Sequence, residues 1–147
     1  ISRFCGKLSG LYPINNNLLA AKIDQVIDMA TDITVLFSNY RKNSEKEIIL
    51  KNRKIFFEEV IMRKLKLLEN LLLFDKSLSN NKTLSISDIV IWRVLGWLSS
   101  GMIDGFPTNF IQKLPTLHKI CIKVEETNSI KEWIKKTYPK NYVRGNY

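Results

Sequence analysis

The sequence predicts an all-α protein, a bundle of about five helices, on the basis of three observations. Hydrophobic residues make up 45% of the 147 residues, which is enough to build a core. Glycine and proline are scarce, at 6 and 4 residues, whereas an all-β fold needs many of them for its tight turns. Apolar side chains recur at the 3.6-residue period of a helix along several segments, and no segment shows the alternation of a strand.

Two long helices are predicted in the first half of the chain. Residues 1–9 have the pattern of the end of a helix, which Gly10 stops. From Leu18 onward, apolar residues follow the helical period over five turns, with charged residues on the opposite face. The stretch Arg41–Lys46 is a charged break, and a second long helix is expected over about residues 45–74.

The second half is predicted to hold three shorter helices. Pro107 and Pro115 each suit the first turn of a short helix, where the missing N–H of proline has no partner to lose. The expected elements, in order, are a polar loop at Ser77–Lys82, helices over about residues 85–100, 115–126 and 129–137, and an irregular tail at Lys140–Tyr147.

The most specific local signal is the start of the third helix. The Ser85 side chain can accept a hydrogen bond from the backbone N–H of Asp88, and the Asp88 side chain can accept one from the N–H of Ser85. This is a capping box with aspartate in place of glutamate. Leu84 and Ile89 stand at the spacing of a hydrophobic staple.

This capped, apolar helix and four other motifs occur in the order typical of cytosolic glutathione transferases, and the chain resembles the C-terminal domain of that family. Ile1-Ser2-Arg3-Phe4 is similar to the last helix of the thioredoxin-like domain, and the segment from Lys7 to Pro13 is similar to the interdomain linker. Leu114-Pro115-Thr116-Leu117 is similar to the "Pro-x-Leu" helix start, and the segment from Ile130 to Ile134 is similar to the final "Ile-x-x-Trp" helix. The resemblance implies that residues 1–13 are the end of a thioredoxin-like domain with its linker, and residues 14–147 the helical domain.

The same resemblance implies a function for the full-length protein. It would be an enzyme that conjugates glutathione to electrophiles, a detoxification reaction, as a cytoplasmic homodimer. The catalytic Tyr, Ser or Cys and the Glu/Gln-Ser pair that holds glutathione would lie upstream of Ile1, so no catalytic residue is expected in this chain. Glutathione enters as a substrate, and no metal is expected.

One contact to glutathione is expected within these residues. The segment around Asp32 resembles the first long helix of sigma-type enzymes, in which the matching aspartate reaches across the dimer to the ammonium group of the partner's glutathione. Asp24, Asp28 and Asp32 are four residues apart and form one acidic stripe. Arg3 matches an arginine of the family near the dimer axis, and it is expected to pair across the interface with an acid of this helix, so Arg3, Asp24 and Asp28 are assigned to the dimer interface.

The resemblance also implies an acceptor pocket for the electrophile. In the family, this pocket is lined by the first long helix, the capped helix and the C-terminal tail. The helical domain would shape this pocket and form the dimer. The residues that match by position are Met29, Leu36, Val90, Val94 and Tyr142, with Tyr147 as a second aromatic of the tail.

Other classes of site find little support in the sequence. Cys5, Cys121 and the single histidine, His118, lack the spacing of a zinc site, and two isolated cysteines favour a reducing compartment. No apolar run approaches the roughly 20 residues that a membrane-spanning helix needs. The formal net charge of +9 permits nucleic-acid binding, but the basic residues are spread along the chain, which is more typical of a solvated surface.

Two alternatives to the enzyme stay open at this point. Similar helical domains act as non-catalytic protein-interaction modules in translation-factor and synthetase complexes, and the basic charge agrees with that role. A helical nucleic-acid-binding domain is the other, and binding that weakens steeply with salt would be its signature.

Overall fold

The computed structural model describes residues 1–40, 46–79 and 83–147, and within these ranges every regular element is a helix. The predicted all-α fold is therefore confirmed for the described residues. The elements are α1 Ser2–Leu8, α2 Asn17–Tyr40, α3 Lys46–Phe56, a π-helical turn Phe57–Ile61, α4 Met62–Phe74, α5 Lys76–Ser79, α6 Ile86–Ser99, a 3-10 helix Ile111–Lys113, α7 Pro115–Glu126 and α8 Asn128–Thr137.

Seven of these elements correspond to the five predicted helices. They are α2, the continuous stretch from α3 through the π turn to α4, and then α6, α7 and α8. The expected end of a helix at the start of the chain is α1, and Gly10 follows it with a positive φ of 73°. Residues 41–45 of the predicted charged break lie outside the described residues, and α3 begins at Lys46.

Two local predictions were wrong. Part of the expected loop Ser77–Lys82 belongs to α5, because the Asp75 carboxylate accepts a bond of 3.0 Å from the N–H of Ser77 and so caps a single helical turn. No helix starts at Pro107, since Gly101 and Gly105 take positive φ angles and turn the chain there.

The capped helix α6 lies at the centre of the fold, packed between α2 and α7. The predicted capping box is present: the N–H of Asp88 donates to Ser85 Oγ at 3.3 Å, and the N–H of Ser85 donates to Asp88 Oδ2 at 3.0 Å. Asp88 is almost fully buried, and the Lys123 ammonium of α7 also donates to its Oδ2, at 2.9 Å. The start of α6 is thus fixed to its own first turn and to α7.

A second buried carboxylate connects two helices, α4 and α7, through hydrogen bonds. Glu69 is 8% exposed, and its two oxygens accept bonds of 2.7 and 2.8 Å from the backbone N–H groups of Thr116 and Leu117. These groups are among the unpaired donors at the start of α7, after Pro115. Glu69 therefore caps α7 from a neighbouring helix and offsets the positive end of its dipole.

The C-terminal tail is irregular, as predicted, but it is held closely against α6. Tyr147 Oη donates to the carbonyl oxygen of Trp92 at 2.8 Å, and the N–H of Asn146 donates to Ser99 Oγ at 2.9 Å. Gly96 lies under this segment, and a Cβ atom at position 96 would overlap Tyr147 Oη and the carbonyl oxygen of Arg144. The tail can pack here only because position 96 has no side chain.

Replacing Ser85 by alanine should destabilise the protein by about 1 kcal/mol, because it removes the acceptor for the N–H of Asp88. The measurement is the free energy of unfolding in urea. Ser129→Ala, at an exposed site in α8, is the matched control and should change it by less than about 0.5 kcal/mol. Equal effects of the two substitutions would contradict the structural role of the cap.

Gly96→Ala should displace the tail, because the added methyl group occupies the position of Tyr147 Oη. The expected result is faster tryptic cleavage at Lys140 and Arg144 and a loss of stability of about 1–3 kcal/mol. The same substitution in a Tyr147→Ala background should cost clearly less, since the clashing group is gone. An identical cost in both backgrounds would show that the tail does not lie on Gly96.

Candidate functional site

The candidate site is the side of α2 that carries the acidic stripe, together with the face of α2 that packs on α6. The three acids of the stripe are spaced by four residues, so each lies about 6 Å further along the helix axis than the one before. Three like charges in such a row repel one another. The stripe therefore needs cations or hydrogen-bond donors nearby.

Arg3, from α1, pairs with the first two acids. Its Nε donates to Asp24 Oδ1 at 2.5 Å, and its Nη2 donates to Asp28 Oδ1 at 2.7 Å. These bonds raise the pKa of Arg3 above its usual value, so the guanidinium stays positively charged. The arginine and the acids were expected to pair across a subunit interface, whereas the structure pairs them within one chain, because α1 brings Arg3 within reach of α2.

Tyr12 completes this cluster, and the sequence analysis missed it. Its hydroxyl donates to Asp24 Oδ2 at 3.0 Å, so both oxygens of Asp24 are occupied. Burial, and then the bond to Asp24, raise the pKa of Tyr12, which keeps the hydroxyl protonated as a donor. The linker and α1 thus both attach to α2 through one carboxylate.

Asp32, the third acid, differs from the other two. It is exposed, and it has neither an ion pair nor a side-chain hydrogen bond with any of the residues that the structure describes. Arg3 spans Asp24 and Asp28, and Asp32 lies another turn away. The stripe therefore presents one carboxylate without a partner among the described residues, beside two carboxylates that share one guanidinium.

The predicted acceptor residues fall into two groups. Met29 and Leu36 of α2 and Val90 and Val94 of α6 are all half-buried. The same side of α6 carries Trp97, which meets Phe37 of α2 edge-on with 5.2 Å between ring centroids. Met29, Val90 and Val94 pack against the hydrophobic core, as Phe37 and Trp97 do, and Leu36 lies one turn beyond Asp32 on α2.

The two tail aromatics contact other residues of α6. Tyr147 stacks on Trp92 at 6.4 Å, and Tyr142 Oη accepts a bond of 3.4 Å from Arg93. At 100° per residue, Trp92 lies about half a turn away from Val90 and Val94. Helix α6 thus separates Tyr147 from Val90 and Val94, whereas Arg93, the partner of Tyr142, is three residues after Val90 and therefore lies near it on the helix surface.

Sequence reasoning also missed the aromatic end of this surface. A small cleft of about 160 Å³ is lined by Phe37, Arg53, Trp97, Met102 and Ile103. Its aromatic pair had a signal in the sequence, because Phe37 continues the apolar period of α2 and Trp97 that of α6. Nothing in the sequence pattern placed Arg53 beside them.

The thiols stand apart from the stripe. Cys121 of α7 is fully buried, and this burial, with Glu125 and Asp88 nearby, raises the pKa of its thiol, so it stays protonated and unreactive at neutral pH. Cys5 is exposed on α1. Across the described parts of the chain, no group of three or more His, Cys, Asp and Glu side chains could hold a metal ion, and no helix there is long and apolar enough to span a bilayer.

Comparison with known protein families identifies the chain. The family model described as "Glutathione S-transferase, C-terminal domain" matches residues 27–137, which is most of the sequence and runs from the middle of α2 to the end of α8. The chain therefore belongs to the glutathione S-transferase C-terminal domain family, as the sequence motifs indicated. Neither the curated proteins nor the solved structures contain a significant match.

Arg3→Gln should destabilise the protein by about 1 kcal/mol, since it removes both ion pairs and leaves three carboxylates in a row. Because the Arg3 side chain is 43% exposed, salt should screen this effect, and the loss should shrink at high ionic strength. Urea unfolding at low and high salt measures it.

Arg63→Gln, an exposed arginine of α4, is the control for loss of one positive charge. It should leave the free energy of unfolding nearly unchanged. If Arg3→Gln behaved like this control at low salt, the cluster would have no stabilising role.

Proposed function

We propose that the full-length protein is a glutathione transferase that conjugates glutathione to electrophiles. In this proposal the helical domain supplies the acceptor surface and one contact to glutathione. Membership of the family supports the reaction class. The observation that carries the role of the site is the exposed carboxylate of Asp32, unpaired among the described residues, next to two acids that share the Arg3 guanidinium.

The chemistry of this carboxylate suits one end of glutathione. The γ-glutamyl group carries an ammonium cation, and a carboxylate–ammonium bond is charge-assisted and among the stronger hydrogen bonds in proteins. Both oxygens of Asp24 are bonded and Asp28 shares Arg3, so Asp32 is the acid of the stripe that has no competing partner among the described residues. We propose that this acid serves the glutathione of the partner subunit in a homodimer, as the sigma-type resemblance implies.

The acceptor surface is proposed at the facing sides of α2 and α6. Met29, Leu36, Val90 and Val94 present half-buried apolar side chains there, which favours an apolar electrophile. Tyr142 of the tail borders this surface in the proposal, because its hydroxyl accepts a bond from Arg93, which is three residues after Val90 on α6.

Activation of the thiol is assigned to the thioredoxin-like domain that the resemblance places upstream. Cys121 is unsuited to that task because its thiol is buried and has a raised pKa. We propose a cytoplasmic location, in keeping with a reaction that needs reduced glutathione.

Asp32→Asn in the full-length protein should weaken glutathione binding by about tenfold, because it removes one charge-assisted bond of roughly 1.4 kcal/mol or more. Calorimetric titration with glutathione measures the affinity. Glu132→Gln, an exposed acid of α8, is the matched control for loss of one negative charge and should leave the affinity within about twofold.

An unchanged affinity in Asp32→Asn, with binding intact in the parent protein, would contradict the role of Asp32 while leaving the transferase function standing. Absence of glutathione binding in the parent protein would contradict the function itself. That second result would favour the interaction module, the alternative that the net charge of +9 supports.

A further inference from the structure

Three aromatic rings lie in contact where α8 passes into the C-terminal tail. Trp133 meets Tyr138 edge-on with 5.3 Å between ring centroids, and Tyr138 stacks on Tyr142 at 4.8 Å. At one end Trp133 is 46% exposed, and at the other end Arg93 of α6 donates to the hydroxyl of Tyr142. Trp133, Tyr138 and Tyr142 thus form an aromatic row with one exposed end.

The aromatic row is held in place by the rest of the domain. Ile134 of α8 is buried, and Tyr138 packs against the hydrophobic core. Arg144 lies over the ring of Tyr138 at 6.0 Å and pairs with Glu125 of α7 at 3.2 Å. A ring that its neighbours already hold loses little conformational freedom when a flat ligand stacks on it. Trp133, at the exposed end, therefore offers a preorganised stacking face.

The same stretch of chain carries an excess of positive charge. Although basic residues are spread along the whole chain, residues 131–144 hold five of them and a single acid, Glu132. Lys136 lies one turn after Trp133 on α8, and Lys140 is in the turn between the two tyrosines. Four of the five are exposed lysines that form no ion pair with an acid in the described parts of the chain: Lys131, Lys135, Lys136 and Lys140. Unpaired positive charge thus flanks the aromatic row.

An exposed ring beside unpaired cations suits a ligand that carries flat bases along a chain of anions. Every nucleic-acid base has a π face that can stack on an aromatic side chain, and lysines pair with the phosphates. In a duplex the bases stack on one another, so a duplex could use the lysines but not the ring. An acidic peptide would likewise pair with the lysines without needing the ring. A single-stranded nucleic acid uses both features of this surface.

We propose that this surface binds single-stranded RNA, with a base stacked on Trp133 and the neighbouring phosphates paired with Lys136 and Lys140. RNA is chosen over DNA because the proposed location of the protein is the cytoplasm. Trp133 and the two lysines belong to α8 and the tail, whereas Asp32 belongs to α2, so RNA and glutathione would contact different residues. RNA binding therefore stands or falls independently of the proposed transferase reaction.

The test is the fluorescence anisotropy of a labelled oligoadenylate of about 12 nucleotides, a length within the usual range of single-strand sites, titrated with the whole protein. Trp133→Leu keeps an apolar side chain but removes the stacking face, and it should weaken binding by about tenfold. Trp133→Phe keeps a ring and should weaken binding by less than about threefold. Phe74→Leu, at an aromatic residue of α4 that is 81% exposed, is the matched control and should leave the affinity within about twofold.

The lysines are tested with Lys136→Gln combined with Lys140→Gln, which changes the same surface without touching a packed side chain. Each lysine–phosphate contact on a single strand contributes about 0.7 to the slope of log affinity against log salt, so this pair should reduce the slope by about 1.4. Lys51→Gln combined with Lys54→Gln, at two exposed lysines of α3, lowers the net charge equally and should leave the slope nearly unchanged.

Four results would overturn the proposal. One is the absence of saturable oligoadenylate binding to the parent protein at low salt. Another is an equal effect of Trp133→Leu and Phe74→Leu, which would remove the role of stacking. A third is an equal salt slope for the two lysine variants, which would place the phosphates elsewhere. The last is binding of polyglutamate or of duplex RNA as tightly as of the single strand, which would assign the surface to acidic proteins or to charge alone.

Discussion

The buried carboxylate of Asp88 is the constraint on which the rest of the fold depends. A buried charge without partners would cost several kcal/mol, so this residue requires the groups around it to stay in place. It holds the first turn of α6 through the capping box and holds α7 through Lys123. Ile86, the first residue of α6, donates its N–H to the carbonyl oxygen of Leu11 at 2.9 Å, so the linker is attached at the same helix start. One helix start thus joins three parts of the chain.

The position of α6 determines which of its sides faces α2 and which is covered by the C-terminal tail. Its Val90 and Val94 side faces α2 and forms the proposed acceptor surface with Met29 and Leu36. Its opposite side, at Trp92 and Gly96, is covered by the tail. The charges of α2 are organised in the same way by a second cluster, because Arg3 and Tyr12 occupy Asp24 and Asp28 and leave Asp32 available. Structural pairing thereby leaves Asp32 as the acid of the stripe without a partner among the described residues.

Much of the fold could be predicted from the sequence because its signals are local. The capping box depends on two residues three positions apart, and the long helices follow from a period that any window of α2 shows. The fit of the tail could not be predicted, since it depends on Gly96 meeting Tyr147 across 51 positions of sequence. The helix expected at Pro107 failed because proline permits a helical first turn without requiring one.

The candidate site was predicted in part for the same reason. The acidic stripe is a local pattern on one helix, whereas its pairing with Arg3 and Tyr12 depends on how α1 and the linker return to α2. Likewise, Tyr147 was grouped with Val90 and Val94 by family position, and only the packing of the tail shows that α6 lies between them. The assignment of the family itself rested on five motifs in order, and the match over residues 27–137 confirms it.

The most direct test of the proposed site is a crystal structure of the full-length protein with glutathione bound. The account predicts a homodimer in which the carboxylate of Asp32 lies about 3 Å from the ammonium nitrogen of the glutathione held by the other subunit. Arg3 should remain paired with Asp24 and Asp28 of its own chain. A structure in which Asp32 faces solvent, far from any bound glutathione, or in which Arg3 leaves its own acids to bind those of the partner, would contradict it.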